Sequence, residues 1–215
     1  MNVIAFVTQK GGSGKTTLCV NLAVAAETAG GRCLILDMDP QASAEAWYHD
    51  REAASPKLAK LGAAELADAV RLAERQGFTH VFIDTPGRDE PSVAAAIRIA
   101  DFCLVPCRPT PADMKATPAT IATIKRLAKP AAFVLSQTPP RGFRIKEAEI
   151  GLAVLGPVAP VGIVSRSVVQ HAQGAGHADN EFEPDGKAAQ EIAELWGWLT
   201  KKLEQMTDGA QKNIA

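Results

Sequence analysis

The chain has almost no net charge, no long apolar run and no metal-type cysteine spacing, and each absence removes a class of function. With 23 Lys and Arg against 24 Asp and Glu, the formal charge is −1. No global field therefore draws the protein to nucleic acid, and any DNA contact must come from a local basic patch. The opening apolar run, Val3 to Val7, stops at a glycine-rich loop. It is too short for a signal peptide, and no later segment approaches the roughly 18 apolar residues of a membrane span. Cys19, Cys33, Cys103 and Cys107 fall inside apolar patterns, the setting of buried, reduced, cytoplasmic thiols. Cys103 and Cys107 lack a neighbouring histidine or a second cysteine pair, which argues against zinc. The histidines (His49, His80, His171, His177) form no ligand-like constellation.

What is present is an alternation. The 215 residues, 47% of them hydrophobic, suit one α/β domain with a substantial core. Apolar strand patterns at 3–8, 32–39, 80–87, 102–107 and 131–136 alternate with helical patterns at 16–30, 63–77, 90–100, 113–128 and 144–155. The run PVAPVGIV (157–164) follows, then a helix from about 166 and a last one over about 186–206. Near-continuous apolar strands joined by helices predict a mostly parallel, twisted sheet covered on both faces. The domain is expected to span 1–206, with 207–215 a polar, frayed tail. Ligands of such sheets bind at the carboxyl ends of strands, where Asp37, Asp39 and Asp84 fall.

The stretch TQKGGSGKTT (8–17) lies between the first strand and the first helix. It satisfies the second half of the phosphate-loop pattern G-x-x-x-x-G-K-[ST], but Gln9 stands where the first glycine is expected and Lys10 follows it. Backbone N–H groups of Gly11, Gly12, Ser13, Gly14 and Lys15 can wrap a phosphate, aided by the dipole of the helix that Thr16 and Thr17 open. Lys15 would reach the β- and γ-phosphates, and the Thr16 hydroxyl would hold Mg²⁺. VFIDTPG then places Asp84 at the end of an apolar strand, where its carboxylate can hold a water on the same ion.

Four stretches taken together, KGGSGKTT, DMDPQAS (37–43), IDTPG (83–87) and VPCRPTPADM (105–114), resemble the ParA-type partition ATPases. These belong to the deviant-Walker-A P-loop NTPases that include MinD and the nitrogenase iron protein. The likeness runs from residue 1 to about 204, closest to the short forms without an N-terminal helix-turn-helix. It implies a Mg²⁺-dependent ATPase that dimerises on ATP and releases ADP. In that family the lysine matching Lys10 crosses the dimer interface to phosphates bound by the other subunit. Such a cation supplied in trans stabilises charge on the transferring phosphoryl group. The same likeness gives Asp39 the attacking water, Asp37 a place near Mg²⁺, and Pro106 and Pro109 a border with base and ribose. It also implies non-specific DNA binding by the ATP dimer, with the protein then nucleoid-associated; for the phosphate contacts this chain offers Arg141, Arg144 and Lys146, Arg166, and Lys201–Lys202, each of which reads equally as a solvated face. A ParB-type partner would stimulate hydrolysis, and the cargo would be a plasmid or chromosome, or else a protein cluster or conjugation complex. Many relatives carry a second proline where this chain has Gly87.

Two rival uses remain open on sequence. A MinD-like membrane switch would employ the apolar face of IAELWGWLTKKL (192–203), although packing of that helix on the sheet is the favoured expectation. Electron transfer would need cysteines bridging a cluster across a dimer axis, which Cys103 and Cys107, on one strand, do not match.

Overall fold

A computed structural model describes residues 1–88 and 91–212. Strand β1 (Asn2–Phe6) leads through the glycine-rich loop into α1 (Lys15–Thr28), then β2 (Cys33–Asp37), α2 (Ser43–His49) and β3 (Lys57–Lys60). The chain continues as α3 (Leu66–Arg75), β4 (His80–Asp84), α4 (Pro91–Ile99), β5 (Phe102–Cys107), α5 (Pro111–Arg126), β6 (Ala131–Leu135) and α6 (Phe143–Ala153). Three helices finish it, α7 (Ser167–Gly174), α8 (Asp179–Phe182) and α9 (Lys187–Lys212). All pairings are parallel, in the order β3-β2-β4-β1-β5-β6. The expected α/β class is what forms.

The apolar strands alternate their side chains between two cores. Ile4, Phe6, Ile35 and Phe82 face α1 and α9, while Val3, Ala5, Leu36 and Ile83 face the side of α3 to α6. Helix α1 is buried on nearly every side, from Leu18 to Ala26, because it lies between the sheet and α8 and α9. That position explains a helix with no polar stripe. Strand β1 sits centrally; the chain leaves it for β2 on one side and later passes from β4 across it to β5 on the other. Such a reversal opens a crevice at the strand ends.

Several elements differ from the sequence reading. The short α2, α8 and edge strand β3 carry too little periodicity to be seen from the chain alone. Residues 157–164 run along the outer edge of β6: the Phe133 N–H donates to the Pro157 carbonyl, the Ala159 N–H to Phe133, and the Ile163 N–H to Leu135. Pro157 and Pro160 have no N–H to give, so the ladder stays broken there and the sheet edge is blunted. Helix α9 continues to Lys212, so the frayed tail expected from 207 is corrected to helix through 212; residues 213–215 lie outside the described ones. The apolar face of α9 is spent in the core. Ile192, Leu195, Leu199 and Leu203 are buried, and Trp196 packs edge-on to His80 at 5.2 Å. That face is not available to lipid, and no helix among the described residues is long and apolar enough to cross a membrane.

Candidate functional site

The loop after β1 is shaped from outside. Gly14, at φ 93°, caps α1 without any side-chain partner, a conformation that a residue with a Cβ adopts only at a cost. The first N–H groups of α1 are thus left for a ligand. The Ser136 hydroxyl donates to the Ser13 carbonyl at 2.7 Å, and the Gln137 amide donates to the Gly12 carbonyl at 2.9 Å. Each trans peptide holds its N–H opposite its C=O. Drawing these two carbonyls toward β6 turns the N–H groups of Ser13 and Gly14 the other way, as an anion nest requires. The sequence reading missed Ser136 and Gln137; their one signal is their place just past the carboxyl end of β6.

A cavity of about 610 Å³ opens over this loop. Its walls are Gly11 to Thr17, Asp39 to Gln41 with Ser43, Pro86 to Arg88, Gln137 and Gln173. Lys15 lines it although the residue is buried. Burial pushes the Lys15 amine below its ordinary pKa, while the charges of Asp84 and Asp39 oppose that shift. Lys10 is half-buried and lies outside this wall. The loop thus offers one lysine inward and one elsewhere. Gly87 lies so close that a Cβ there would stand 3.0 Å from the Gly11 Cα and 3.4 Å from the Lys15 Nζ. The missing side chain lets this segment rest on the phosphate loop, where a Cβ would require its neighbours to yield by a few tenths of an ångström.

Asp84 is fully buried at the end of β4. Its Oδ2 accepts from the Thr16 hydroxyl at 2.6 Å and its Oδ1 has no partner. Burial lifts its carboxyl to about 7, helped by the nearby charge of Asp37, while the Thr16 bond and Lys15 pull the other way. An orphaned carboxylate oxygen beside a threonine hydroxyl is a hard-oxygen donor set that fits Mg²⁺.

Three expected assignments meet competing contacts or lie off the cavity. Asp37 is in register with Asp84, but its Oδ1 accepts the Asp39 N–H and its Oδ2 the Glu45 N–H, each at 3.0 Å. It orders the turn into α2 and does not line the cavity. Pro106 and Pro109 are buried and line neither this cavity nor the smaller one beside it; β6 and the edge run at 157–164 stand beyond β5. A second cavity of about 260 Å³ is lined instead by Ser136, Ile163 to Arg166 and one side of α7, and shares Gly14, Thr17, Gln137 and Gln173 with the first. Arg166 is not free to meet DNA phosphates, since both terminal nitrogens bond Glu191 at 2.6 Å. The others stand closer to expectation. Asp39 borders the main cavity, with its Oδ1 accepting the Gln41 N–H. Arg141, Arg144 and Lys146 are exposed. The Thr17 hydroxyl donates to Gln173 at 3.0 Å, which ties α7 across the junction of the two cavities. All four cysteines are buried, and burial pushes Cys33 and Cys103 up to about 12. The thiols stay protonated and none is presented for bridging a second chain.

One prediction arises directly. Ser136→Ala should weaken nucleotide binding about fivefold, the equivalent of one hydrogen bond of about 1 kcal/mol, in a titration with a fluorescent ATP analogue. An unchanged Kd would show that the loop orients without it.

Comparison with known proteins agrees with this geometry. The CobQ/CobB/MinD/ParA nucleotide binding domain matches residues 4–173. The "Maintenance of carboxysome distribution protein A" of Gloeobacter kilaueensis is 36% identical over 146 residues, 65% of this chain and 64% of that protein. The chain thus aligns with just under two thirds of this relative's length. The protein of the same name from Halothiobacillus neapolitanus is 29% identical over 202 residues, 89% of this chain and 93% of its own. Apo McdA of Cyanthece superposes with a TM-score of 0.78 at 14% identity, covering 93% of this chain and 99% of that one, which speaks to the fold alone. With its family match spanning the sheet, the phosphate loop and most of α7, the chain belongs to the CobQ/CobB/MinD/ParA nucleotide-binding family.

Proposed function

We propose that the protein is a Mg²⁺-dependent ATPase whose ATP form is a homodimer that grips DNA without regard to sequence and positions a cargo. The observation that carries this reading is the pair of lysines: Lys15 inside a cavity shaped for phosphates, Lys10 on the same loop but outside its wall. A cation so close to the loop, yet not serving its own cavity, suits a neighbour's ligand.

The residues divide the work. N–H groups of Ser13 and Gly14, and the start of α1, cradle the phosphates, and Lys15 neutralises their charge. Thr16 and Asp84 would hold Mg²⁺, which supplies charge neutralisation between the terminal phosphates. Asp39 orients the attacking water. The second cavity, where Leu18, Ile163, Val164 and Val169 stand among polar side chains, takes the nucleoside, with Gln173 and Thr17 where it meets the first. Since ATP favours the paired state by contacts that ADP cannot make, hydrolysis shifts the equilibrium back to single copies. Arg141, Arg144 and Lys146, doubled in a dimer, provide the phosphate contacts for DNA, so binding weakens steeply with salt.

The cargo reading follows the relatives. Plasmid or chromosome segregation is the expectation from the sequence motifs, but two relatives named for carboxysome distribution favour a large protein assembly moved over DNA by the same cycle. Slow unstimulated turnover, accelerated by a ParB-like or other partner on the cargo, belongs to either reading.

Lys10→Ala separates binding from pairing. Nucleotide affinity should stay within about threefold of the parent, while the ATP-dependent dimer seen by light scattering disappears. A variant that still doubles its mass on ATP would remove Lys10 from the interface. Retention on random duplex DNA with ATP and not ADP tests the grip; equal retention in both states would refute it.

A further inference from the structure

We propose, building on the reading that the second cavity takes the nucleoside, that Glu191 sets the base preference by withholding Arg166 from the ring. Glu191 lies on α9 and lines neither cavity. Its side chain reaches the wall of the smaller one, where Ile163 to Arg166 stand. Oε1 accepts from one terminal nitrogen of Arg166 at 2.6 Å. Oε2 accepts from the other at 2.6 Å and from the Val164 N–H at 3.0 Å. Arg166 and Glu191 are only 22% and 17% exposed, so water competes weakly for the pair. One carboxylate thus occupies a cation and a backbone donor on the same stretch of wall.

The donors left on that wall decide which base it suits. The Ile163 N–H donates to the Leu135 carbonyl and the Ser165 N–H to that of Thr138, each at 2.8 Å. With the Val164 N–H given to Glu191, residues 163–165 have no backbone donor to spare. Ser136 and Gln137 spend theirs on the phosphate-loop carbonyls. Ser165, Gln170 and Gln173 also line the cavity, but their side chains are uncharged and accept as readily as they donate. A guanine edge presents two acceptors, O6 and N7, which an arginine satisfies with two parallel N–H groups. Adenine carries an amine in place of O6, and a guanidinium, having donors only, would meet it donor to donor. A free Arg166 would therefore draw GTP and repel ATP; held by Glu191, it does neither. Selectivity of this kind is a difference between two affinities, and removing an attraction to the wrong ligand serves it as well as adding one to the right ligand. A tie that only fastened α9 to the wall would treat both bases alike. Asp179, buried at the start of α8 with its Oδ2 unpartnered, feels the charges of both Arg166 and Glu191. It is the second acid to which a released guanidinium could turn.

The test uses the full chain with Mg²⁺, the β,γ-imido analogues of ATP and GTP, and inorganic tripolyphosphate, each followed by isothermal titration. The parent should prefer the ATP analogue by at least about tenfold. Glu191→Gln keeps an acceptor for the Val164 N–H but loosens the hold on Arg166. Its affinity for the GTP analogue should rise at least about fivefold above the parent's, and that for the ATP analogue fall about threefold. A damaged wall cannot produce an absolute gain for the wrong base. Adding Arg166→Ala should abolish the gain, and adding Asp179→Asn should keep or enlarge it. Tripolyphosphate affinity should stay level throughout, which reports a folded phosphate loop. Equal binding of the two analogues by the parent overturns the proposal. So does GTP-analogue affinity that rises in neither Glu191→Gln nor Glu191→Gln/Asp179→Asn, or a rise that survives the loss of Arg166. Val169→Trp, which fills the second cavity, reads the nucleoside placement separately: affinity for the ATP analogue should drop toward that for tripolyphosphate. If it drops while the GTP preference of the Glu191 variants stays unmoved, base selection by Glu191 fails and the placement stands. If it does not drop, the nucleoside lies elsewhere and both fall.

Discussion

Lys15→Ala is expected to lower ATP affinity at least a hundredfold, the largest single effect in the molecule. The amine is buried and held below its ordinary pKa chiefly by that burial, even with Asp84 and Asp39 nearby. Such a desolvated cation is costly in the empty protein and becomes favourable only when an anion shares its cavity. Charge-assisted hydrogen bonds of this kind contribute about 1.5–3 kcal/mol. Removing the lysine also leaves the carboxylates of Asp84 and Asp39 facing the incoming phosphates without a compensating cation. The two losses act in the same direction. Burial of the amine costs the empty protein stability and its attraction to Asp84 and Asp39 returns part of it, so the empty variant should melt close to the parent. Isothermal titration with ATP and Mg²⁺ measures the first effect and calorimetric melting the second. An affinity within tenfold of the parent would mean that backbone N–H groups alone hold the phosphates.

Asp84→Asn should move stability and activity in opposite directions. The folded carboxyl titrates at about 7, far above its ordinary 3.8, with burial the leading cause. Between those values the unfolded chain has released this proton and the folded one retains it. Stability from this group is therefore lost as pH rises from about 4 to 7, and the full penalty applies above pH 7. Asparagine keeps an acceptor for the Thr16 hydroxyl and carries no charge, so the empty variant should be more stable than the parent. The gain grows over that pH window, with a ceiling of about 4 kcal/mol. Turnover should nevertheless fall by two or more powers of ten, because the carboxylate oxygen that has no partner in the empty protein is the one a divalent cation would satisfy. Melting curves from pH 4 to 8, with and without Mg²⁺ and ATP, distinguish this from a simple packing defect. A variant less stable than the parent at pH 8 in the empty state would contradict the account, as would parental turnover.

The parts of the site visible in the chain are those made by contiguous residues. A glycine-rich loop between an apolar strand and a helix can turn only a few ways, so Gly11 to Thr17 announce a phosphate cradle without help from the rest of the fold. Asp84 reads as a strand-end acid for the same reason. Ser136, Gln137 and Gln173 carry no such local mark. They reach the loop from 123, 125 and 156 residues away, and nothing in LSQT or HAQG specifies that meeting. Arg166 and Asp37 illustrate the same limit. A side chain's charge is written in the sequence, but the partner that occupies it is not: Glu191 for the first, two backbone N–H groups for the second.

The sequence by itself determined the α/β class, the phosphate loop and the acid at the end of β4, because apolar periodicity and short-range backbone geometry depend on neighbours a few residues apart. The tertiary structure alone decided which polar groups are left open to a ligand, and that α9 spends its apolar face inside the core. Those outcomes follow from competition among groups distant in the chain for the same hydrogen bonds and the same buried surface, and only packing resolves that competition.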